Sequence, residues 1–279
     1  SLLVDDRGAV WVGHFQAGLD YSLYQNGLFR TYAYPPLFNS ANLSIRSFVN
    51  RGQEKVIGSR DGLFYINEAT GVVKSFVKPV LTSDLILTIS FYQGEYYIGT
   101  YGGGMMVLNP GTLSLKYFAQ GDTELFQKGH IFCVKPDAKG NLWIGTSQGL
   151  FCYNGQTKQI KHFTSANSQL PEGNVYEVSF DSTGKGWIAT ETGMCIYDPA
   201  SQSLRSNVFP EGFVHRDKVR TIYEDAGHNL YFIREKGSLF TSTLTMDRFQ
   251  NRSIFSTLPD NSLMSVIEDN QGWLWVACN

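Results

Sequence analysis

Charged residues are scarce in this sequence, and neither sign predominates. They make up 17% of the 279 residues, and the formal net charge at pH 7 is −2. A protein that binds nucleic acid needs a basic stripe on its surface to neutralise phosphates. The composition therefore argues against a nucleic-acid partner.

Long apolar runs and metal-binding motifs are also missing. No stretch approaches the roughly 18 consecutive apolar residues that cross a bilayer as a helix. No Cys-x-x-Cys, His-x-x-x-His or mixed Cys/His motif with zinc spacing occurs. We therefore predict no membrane span within this sequence, no metal site and no cofactor.

The four cysteines do not have the pattern of a disulfide framework. Cys152 and Cys195 fall at neighbouring positions of matching predicted strands, so their side chains are expected on opposite faces. Cys133 and Cys278 fall on strands of other kinds. We expect small buried side chains rather than disulfides.

One sequence phrase recurs along the whole chain, and its clearest copy is DAKGNLWIGTSQGLFCYN at residues 137–154. An Asp-x-x-Gly turn leads into a strand rich in aromatic and branched residues, and Gly-Leu then opens another strand. The tryptophan position returns about every 44 residues, a period typical of four-stranded propeller blades. Its occupants are Trp11, Val56, Tyr97, Trp143, Trp187, Tyr231 and Trp275.

Each repeat contains four strand-like segments, and none shows a helical period. A first strand with apolar anchors three residues apart precedes the turn, as at Ile131 and Val134. We predict an all-β fold, a β-propeller of four-stranded antiparallel blades of the seven-blade type. Residues 1–279 are predicted to form a single propeller domain, with six full repeats and the first two strands of an incomplete seventh blade.

Three features of the repeat have both a structural and a functional interpretation. The Asp-x-x-Gly turns look like calcium loops, but residues 137–140 offer one carboxylate beside a lysine, which favours a simple turn. Residues 102–104 are all glycine but open no helix, so we expect a loose turn rather than a phosphate site. The tryptophans could stack on sugars, but their shared repeat position favours packing between adjacent sheets.

Catalytic motifs do not emerge from the sequence. It contains no Gly-x-Ser-x-Gly elbow and no recurring pair of carboxylates. The histidines fall at unrelated repeat positions: His14, His130, His162, His215 and His228. We therefore predict no catalytic residues and no enzymatic activity for this part of the protein.

The phrase D-x-x-G-x-L-W-I-G-T-x-x-G-L-x-x-Y resembles the two-component regulator propeller repeat. That repeat occurs in the extracytoplasmic sensor regions of hybrid two-component systems of glycan-degrading anaerobic bacteria. The resemblance covers the whole chain, and its departures include Lys55-Val56 in the second copy and Ile233-Arg234 in the sixth.

The resemblance implies a fragment of a longer, periplasmic sensor that is anchored in the inner membrane through segments absent here. It implies a homodimer that signals to a cytoplasmic histidine kinase. Its implied ligand is an oligosaccharide released during polysaccharide breakdown.

Residues at two repeat positions make up the predicted ligand site. The connection from the second to the third strand and the entry to the first strand are expected on one face, around the axial opening. Their occupants differ between repeats, as an asymmetric ligand requires, although variation in solvated loops would give the same pattern. Aromatic faces suit sugars, and converging arginines would favour an anionic one. The predicted residues are Arg46, Arg60, Tyr101, Gln148, Tyr176, Glu191, Arg220 and Arg234.

Two other functions fit the same fold. A propeller lyase or hydrolase would need a histidine and a carboxylate that converge at the axial opening. A scaffold that only presents surfaces for dimerisation would need no ligand.

Overall fold

The computed structural model of the chain consists of short antiparallel strands. Among the residues that the structure describes, six sheets have four strands and a seventh has two, and the strands of each sheet lie in sequence order. The chain divides into two compact units, residues 1–134 with 269–273 and residues 135–268 with 274–279. The structure describes residues 1–14, 18–22, 29–32, 43–119, 123–206, 209, 218–234, 239–245, 250–252 and 263–278.

The strands are numbered in chain order and grouped by sheet. Sheet 1 contains β1 (Leu2–Val4), β2 (Val10–Gly13), β3 (Leu19–Ser22) and β4 (Phe29–Thr31). Sheet 2 contains β5 (Ile45–Arg51), β6 (Glu54–Ser59), β7 (Leu63–Asn67) and β8 (Val72–Phe76). Sheet 3 contains β9 (Ile86–Tyr92), β10 (Glu95–Thr100), β11 (Met105–Asn109) and β12 (Ser114–Tyr117). Sheet 4 contains β13 (Ile131–Pro136), β14 (Asn141–Thr146), β15 (Gly149–Asn154) and β16 (Ile160–Phe163).

The remaining strands follow the same scheme. Sheet 5 contains β17 (Val175–Phe180), β18 (Gly186–Thr190), β19 (Met194–Asp198) and β20 (Ser203–Arg205). Sheet 6 contains β21 (Val219–Glu224), β22 (Asn229–Arg234), β23 (Leu239–Thr243) and β24 (Gln250–Arg252). Sheet 7 contains β25 (Leu263–Glu268) and β26 (Leu274–Cys278). Successive four-stranded antiparallel sheets are propeller blades, so the predicted all-β propeller of four-stranded antiparallel blades is confirmed, whereas the seven-blade type stays a prediction.

One helix lies between β12 and β13, and the sequence analysis did not predict it. Helix α1 (Thr123–Lys128) buries Leu125 and Phe126, and Glu124 and Lys128 lie at the ends where their charges suit the helix dipole. The prediction of no helix is wrong here because six residues are too few to show a helical period. No helix in the described part of the chain has the length and apolar character needed to span a membrane.

The Asp-x-x-Gly turn and the tryptophan are joined by a hydrogen bond, which explains why they occur together. In sheet 4 the carboxylate of Asp137 accepts hydrogen bonds from the backbone N–H of Asn141 (2.8 Å) and the indole N–H of Trp143 (2.9 Å). Gly140 has a φ of +79°, as this turn requires. The indole-to-carboxylate bond recurs as Trp11–Asp5 (3.0 Å) and Trp187–Asp181 (2.8 Å).

Trp11, Trp143 and Trp187 pack between adjacent sheets, as predicted. Trp11, Trp143 and Trp187 are almost fully buried, and Trp275 is half-buried. The rings of Trp187 and Phe232 lie 5.7 Å apart across sheets 5 and 6. Burial of such large aromatic side chains contributes strongly to the stability of the blades.

Side-chain hydroxyls join the first strands of neighbouring sheets. In the first unit the N–H of Ile89 in β9 donates to Ser47 Oγ of β5 (3.0 Å). In the second unit Thr221 Oγ1 of β21 donates to the carbonyl of Met264 in β25 (2.9 Å). These bonds hold the entries of successive first strands side by side.

Candidate functional site

The entry position used in the sequence prediction is a β-bulge in five first strands. In β5, Ile45 pairs with Ser59 and Ser47 pairs with Gly58, which leaves Arg46 as the extra residue. Bulges re-aim side chains and are frequent beside binding sites. Each bulged residue is at least partly exposed although the apolar residue before it is buried. The other bulged residues are Leu87, Tyr176, Arg220 and Met264.

The connection between second and third strands is hydrogen-bonded to the entry of the first strand in the same sheet. The bonds run from the backbone N–H of the connecting residue to the carbonyl just before the first strand. They are Arg60 to Ser44 (3.0 Å), Tyr101 to Leu85 (3.0 Å) and Glu191 to Asn174 (2.9 Å). The two predicted positions therefore lie next to each other, and their role in ligand binding stays a prediction.

Gln148 and Arg234 occupy different turn positions from these three. Arg234 is the last residue of β22 and pairs with Val219. At the equivalent position sheet 5 has Thr190, a buried residue whose hydroxyl donates to the carbonyl of Gly193 (3.0 Å). Burial lowers the pKa of the Arg234 guanidinium. The carbonyl of Gln148 accepts a hydrogen bond from the ring of His162 (2.8 Å).

In the second unit, Tyr176 and Glu191 are brought together by Asn174. The Asn174 side chain donates to the Tyr176 hydroxyl (2.9 Å), and its backbone N–H donates to Glu191 Oε2 (3.4 Å). The ammonium of Lys218 lies 4.2 Å from the centroid of the Tyr176 ring. This cation covers one face of the ring, and the hydroxyl is already hydrogen-bonded.

In the first unit, Tyr101 lies at one end of a row of aromatic side chains. Its ring centroid is 4.0 Å from that of His130, with a tilt of 32°, and His130 is 6.2 Å from Phe132, also tilted by 32°. Tyr101 is 50% exposed, and the other two side chains are half-buried. The row therefore offers an exposed aromatic ring supported from beneath.

The predicted arginines divide between the two units. Arg46 and Arg60 are exposed in the first unit. Burial and, next, the charge of Arg46 lower the pKa of the Ser1 amino group, so Arg46 lies near that end of sheet 1. Arg220 and Arg234 are half-buried in the second unit.

Two groups combine a histidine with a carboxylate. His14 Nε2 lies 3.0 Å from Asp20 Oδ2. On the turns of sheets 5 and 6, His228 Nδ1 lies 2.7 Å from Glu224 Oε1 and 3.2 Å from Ser182 Oγ. Because both contacts use the same imidazole nitrogen, the group lacks the geometry of a catalytic triad, in which one ring nitrogen takes the serine proton while the other is held by the carboxylate. His215 lies outside the described residues.

Within the described ranges, no group of three or more His, Cys, Asp or Glu side chains is placed to hold a metal ion. Cys152 and Cys195 are free thiols, and Cys133 is buried. Burial, with a smaller effect of the Asp137 charge, raises the pKa of Cys152 to about 12. A thiol with so high a pKa is a poor nucleophile at neutral pH.

A family model described as two-component regulator propeller matches residues 126–148 and 257–279. Two segments of the chain therefore match the two-component regulator propeller repeat. The recognition made from the sequence is therefore confirmed. The first match contains β13, β14 and the turn that links Asp137 to Trp143. A comparison with curated protein sequences finds no match for these propeller repeats.

Solved structures share the fold of the propeller repeats at low sequence identity. Two are described as extracellular domains of the hybrid two-component systems BT4673 and BT3049 from B. thetaiotaomicron, with TM-scores of 0.78 and 0.64 and identities of 17% and 21%. They align with 100% and 99% of this chain, which spans only 36% and 43% of their lengths. The β-propeller domain of Cps50 from Myceliophteria thermophila has a TM-score of 0.66 at 11% identity, over 95% of this chain and 88% of its own.

Sequence reasoning missed three residues of the candidate groups, His130, Asn174 and Lys218. Each directly precedes the leading apolar anchor of a first strand. The signal that could have found them is this shared repeat position, one residue before the first strand of the sheet begins.

Proposed function

We propose that this chain is part of the extracytoplasmic sensor region of a hybrid two-component system. The propeller repeats support this, as does the fold shared with domains described as extracellular parts of such systems. Sheets 1 to 6 and strands β25 and β26 would then belong to a seven-bladed propeller in a periplasmic ectodomain. The longer protein would carry a membrane segment and a cytoplasmic histidine kinase.

The ligand of this sensor is an oligosaccharide released from a polysaccharide. The observation that carries this is that two variable repeat positions lie next to each other. The backbones of Arg60, Tyr101 and Glu191 are hydrogen-bonded to the entries of bulged strands. Polar and aromatic side chains that differ from sheet to sheet provide the hydrogen bonds and stacking that sugars require.

Signalling requires a difference in affinity between two states. The homodimer of the full-length sensor would exist in two arrangements, and the oligosaccharide would bind one of them more tightly. A ligand that bound both equally would shift nothing, however tight its binding.

A transcription experiment tests the sensor function. Residues 1–279 are deleted in frame in a strain that carries the whole gene, and transcripts are measured during growth on separate purified polysaccharides. We expect induction by one polysaccharide to disappear while induction by the others persists, as in a strain that lacks the whole gene. Unchanged transcription on every polysaccharide would contradict a sensor role.

A further inference from the structure

The aromatic row in the first unit ends in a half-exposed ring, which distinguishes it from the buried tryptophans. Tyr101 is 50% exposed, whereas Trp143 and Trp187 are each 1% exposed. An aromatic ring that is left half in water does not contribute its full burial energy to folding. Its position beside two further rings therefore calls for another explanation.

The backbone on both sides of the Tyr101 ring is fixed. Its N–H donates to the Leu85 carbonyl (3.0 Å), and its own carbonyl accepts from Ser83 Oγ (2.9 Å). Two residues later, Thr82 Oγ1 donates to the carbonyl of Gly103 (2.6 Å). A ring whose backbone is held on both sides loses little conformational entropy when a ligand stacks on it.

Gly102 lies against the edge of the His130 imidazole. The residue has a φ of +78°, and a Cβ there would lie 3.7 Å from His130 Cε1. His130 Nδ1 is buried and makes no hydrogen bond. A buried polar atom without a partner is costly and rare, and such atoms are retained where function needs them.

Comparison with Tyr176 indicates which ring is available. The Tyr176 ring carries the Lys218 ammonium at 4.2 Å, and its hydroxyl accepts from Asn174. Tyr101 instead lies against His130, and its outer part faces solvent. The apolar face of a sugar ring can reach Tyr101 without displacing a cation.

We propose that Tyr101, His130 and Phe132 form a stacking site for an uncharged pyranose of an oligosaccharide. The apolar face of the sugar lies on the Tyr101 ring, and the His130 ring packs against Tyr101 with its centroid 4.0 Å away. Phe132 extends the apolar surface toward the next sugar. This inference rests on the proposed function, because it assigns the ligand class and the residues of the sensor's binding site.

Titration calorimetry on the 279-residue chain tests the site with four named probes: cellohexaose, xylohexaose, mannohexaose and, as the charged probe, tetragalacturonic acid. We expect one of the three uncharged hexasaccharides to bind. Tyr101→Ala should weaken that binding by about tenfold or more, because the buried ring area is lost. Tyr101→Phe should stay within about threefold, because the flat ring remains.

Tyr117→Ala is the matched control. Tyr117 is an exposed tyrosine of the same sheet, at 46%, and it pairs with Met106 on β11 rather than lying beside the 101–104 turn. Its substitution should leave the affinity unchanged, and thermal unfolding of each variant verifies that it is folded.

Three outcomes would overturn the site. They are equal affinity of wild type and Tyr101→Ala, binding of tetragalacturonic acid alone, and binding of none of the four probes. None of these affects the transcription experiment, which tests the sensor function without reference to Tyr101. Loss of polysaccharide induction together with any of them would retain the sensor and reject this site.

Discussion

Sheets 5 and 2 fill the tryptophan position differently and are stabilised by different kinds of contact. In sheet 5, Trp187 is 1% exposed, packs against Phe232 of sheet 6 and donates to Asp181. In sheet 2 the position holds Val56, and the turn before it has only two residues, since Arg51 pairs with Glu54. Neither the indole nor its aspartate partner is present in sheet 2.

A buried cation takes over the inter-sheet contact in sheet 2. The Lys55 side chain is 3% exposed, and its ammonium lies 2.7 Å from Glu68 Oε2 and donates to Gly52 O (3.1 Å). The Tyr32 hydroxyl of sheet 1 donates to the other oxygen of Glu68 (2.8 Å). The ammonium is also 5.8 Å from the ring centroid of Trp11.

Glu54 forms the contact on the other side of sheet 2. It accepts hydrogen bonds from the hydroxyls of Tyr65 in the same sheet and Tyr96 in sheet 3, both at 2.5 Å. Neighbouring sheets of the repeat therefore require a well-packed, hydrogen-bonded contact, but this contact does not require a tryptophan. Polar groups meet that requirement in sheet 2 because each of them has a partner.

The largest loss of stability is expected when the apolar contact between sheets 5 and 6 is broken. Trp187→Ala removes a fully buried indole from between sheets 5 and 6 and leaves the Asp181 carboxylate without one donor. We expect a loss of ~3–5 kcal/mol in the free energy of unfolding, measured by urea denaturation. Trp273→Ala is the control, because that indole is 65% exposed and its loss should change stability by about 0.5 kcal/mol or less. Equal losses for the two variants would contradict the assigned packing.

Breaking the polar contact of sheet 2 should cost slightly less stability than Trp187→Ala. It should also respond differently when both partners are replaced. Glu68→Ala leaves the buried Lys55 ammonium without its carboxylate, and we expect a loss of about 3 kcal/mol. Replacing both residues, as Lys55→Met with Glu68→Leu, removes the unpaired charge and should cost less than Glu68→Ala alone. The same urea experiment measures both. A double variant less stable than the single one would show that the attraction within the ion pair contributes more to stability than the cost of leaving the Lys55 charge unpaired.

Elements within one repeat and the packing of the tryptophan position between sheets could be predicted from the sequence, whereas the particular polar and aromatic partners from neighbouring repeats could not. The turn at Asp137 and the burial of Trp143 follow from residues a few positions apart. The contact of Glu68 with Tyr32 joins residues 36 positions apart, and the repeat period does not predict it. Likewise, Tyr101 was predicted from its repeat position, whereas its neighbour His130 comes from the next repeat. The bulge at Arg46 depends on strand register, which side-chain patterns alone do not reveal.

The smallest expected effect is a pH dependence that isolates the ion pair of sheet 2. Burial alone would raise the pKa of Glu68, but hydrogen bonds from Lys55 and Tyr32 and the lysine charge together lower it. Because the folded-state pKa lies below the unfolded value, the stabilisation is complete above the unfolded pKa and is lost as pH falls through the folded pKa.

Glu68→Gln removes this titration while keeping the size of the side chain. The difference in unfolding free energy between wild type and Glu68→Gln should therefore be largest near pH 6 and should shrink as pH falls below about 4. Asp5 also has a lowered pKa, through hydrogen bonds from Trp11, Ala9 and Arg7 that outweigh its burial. Its contribution is common to both proteins and cancels in the difference. If the stability curves of the two proteins remained parallel from pH 6 to 3, the contribution of the Lys55 contact to stability would not depend on the charge of Glu68.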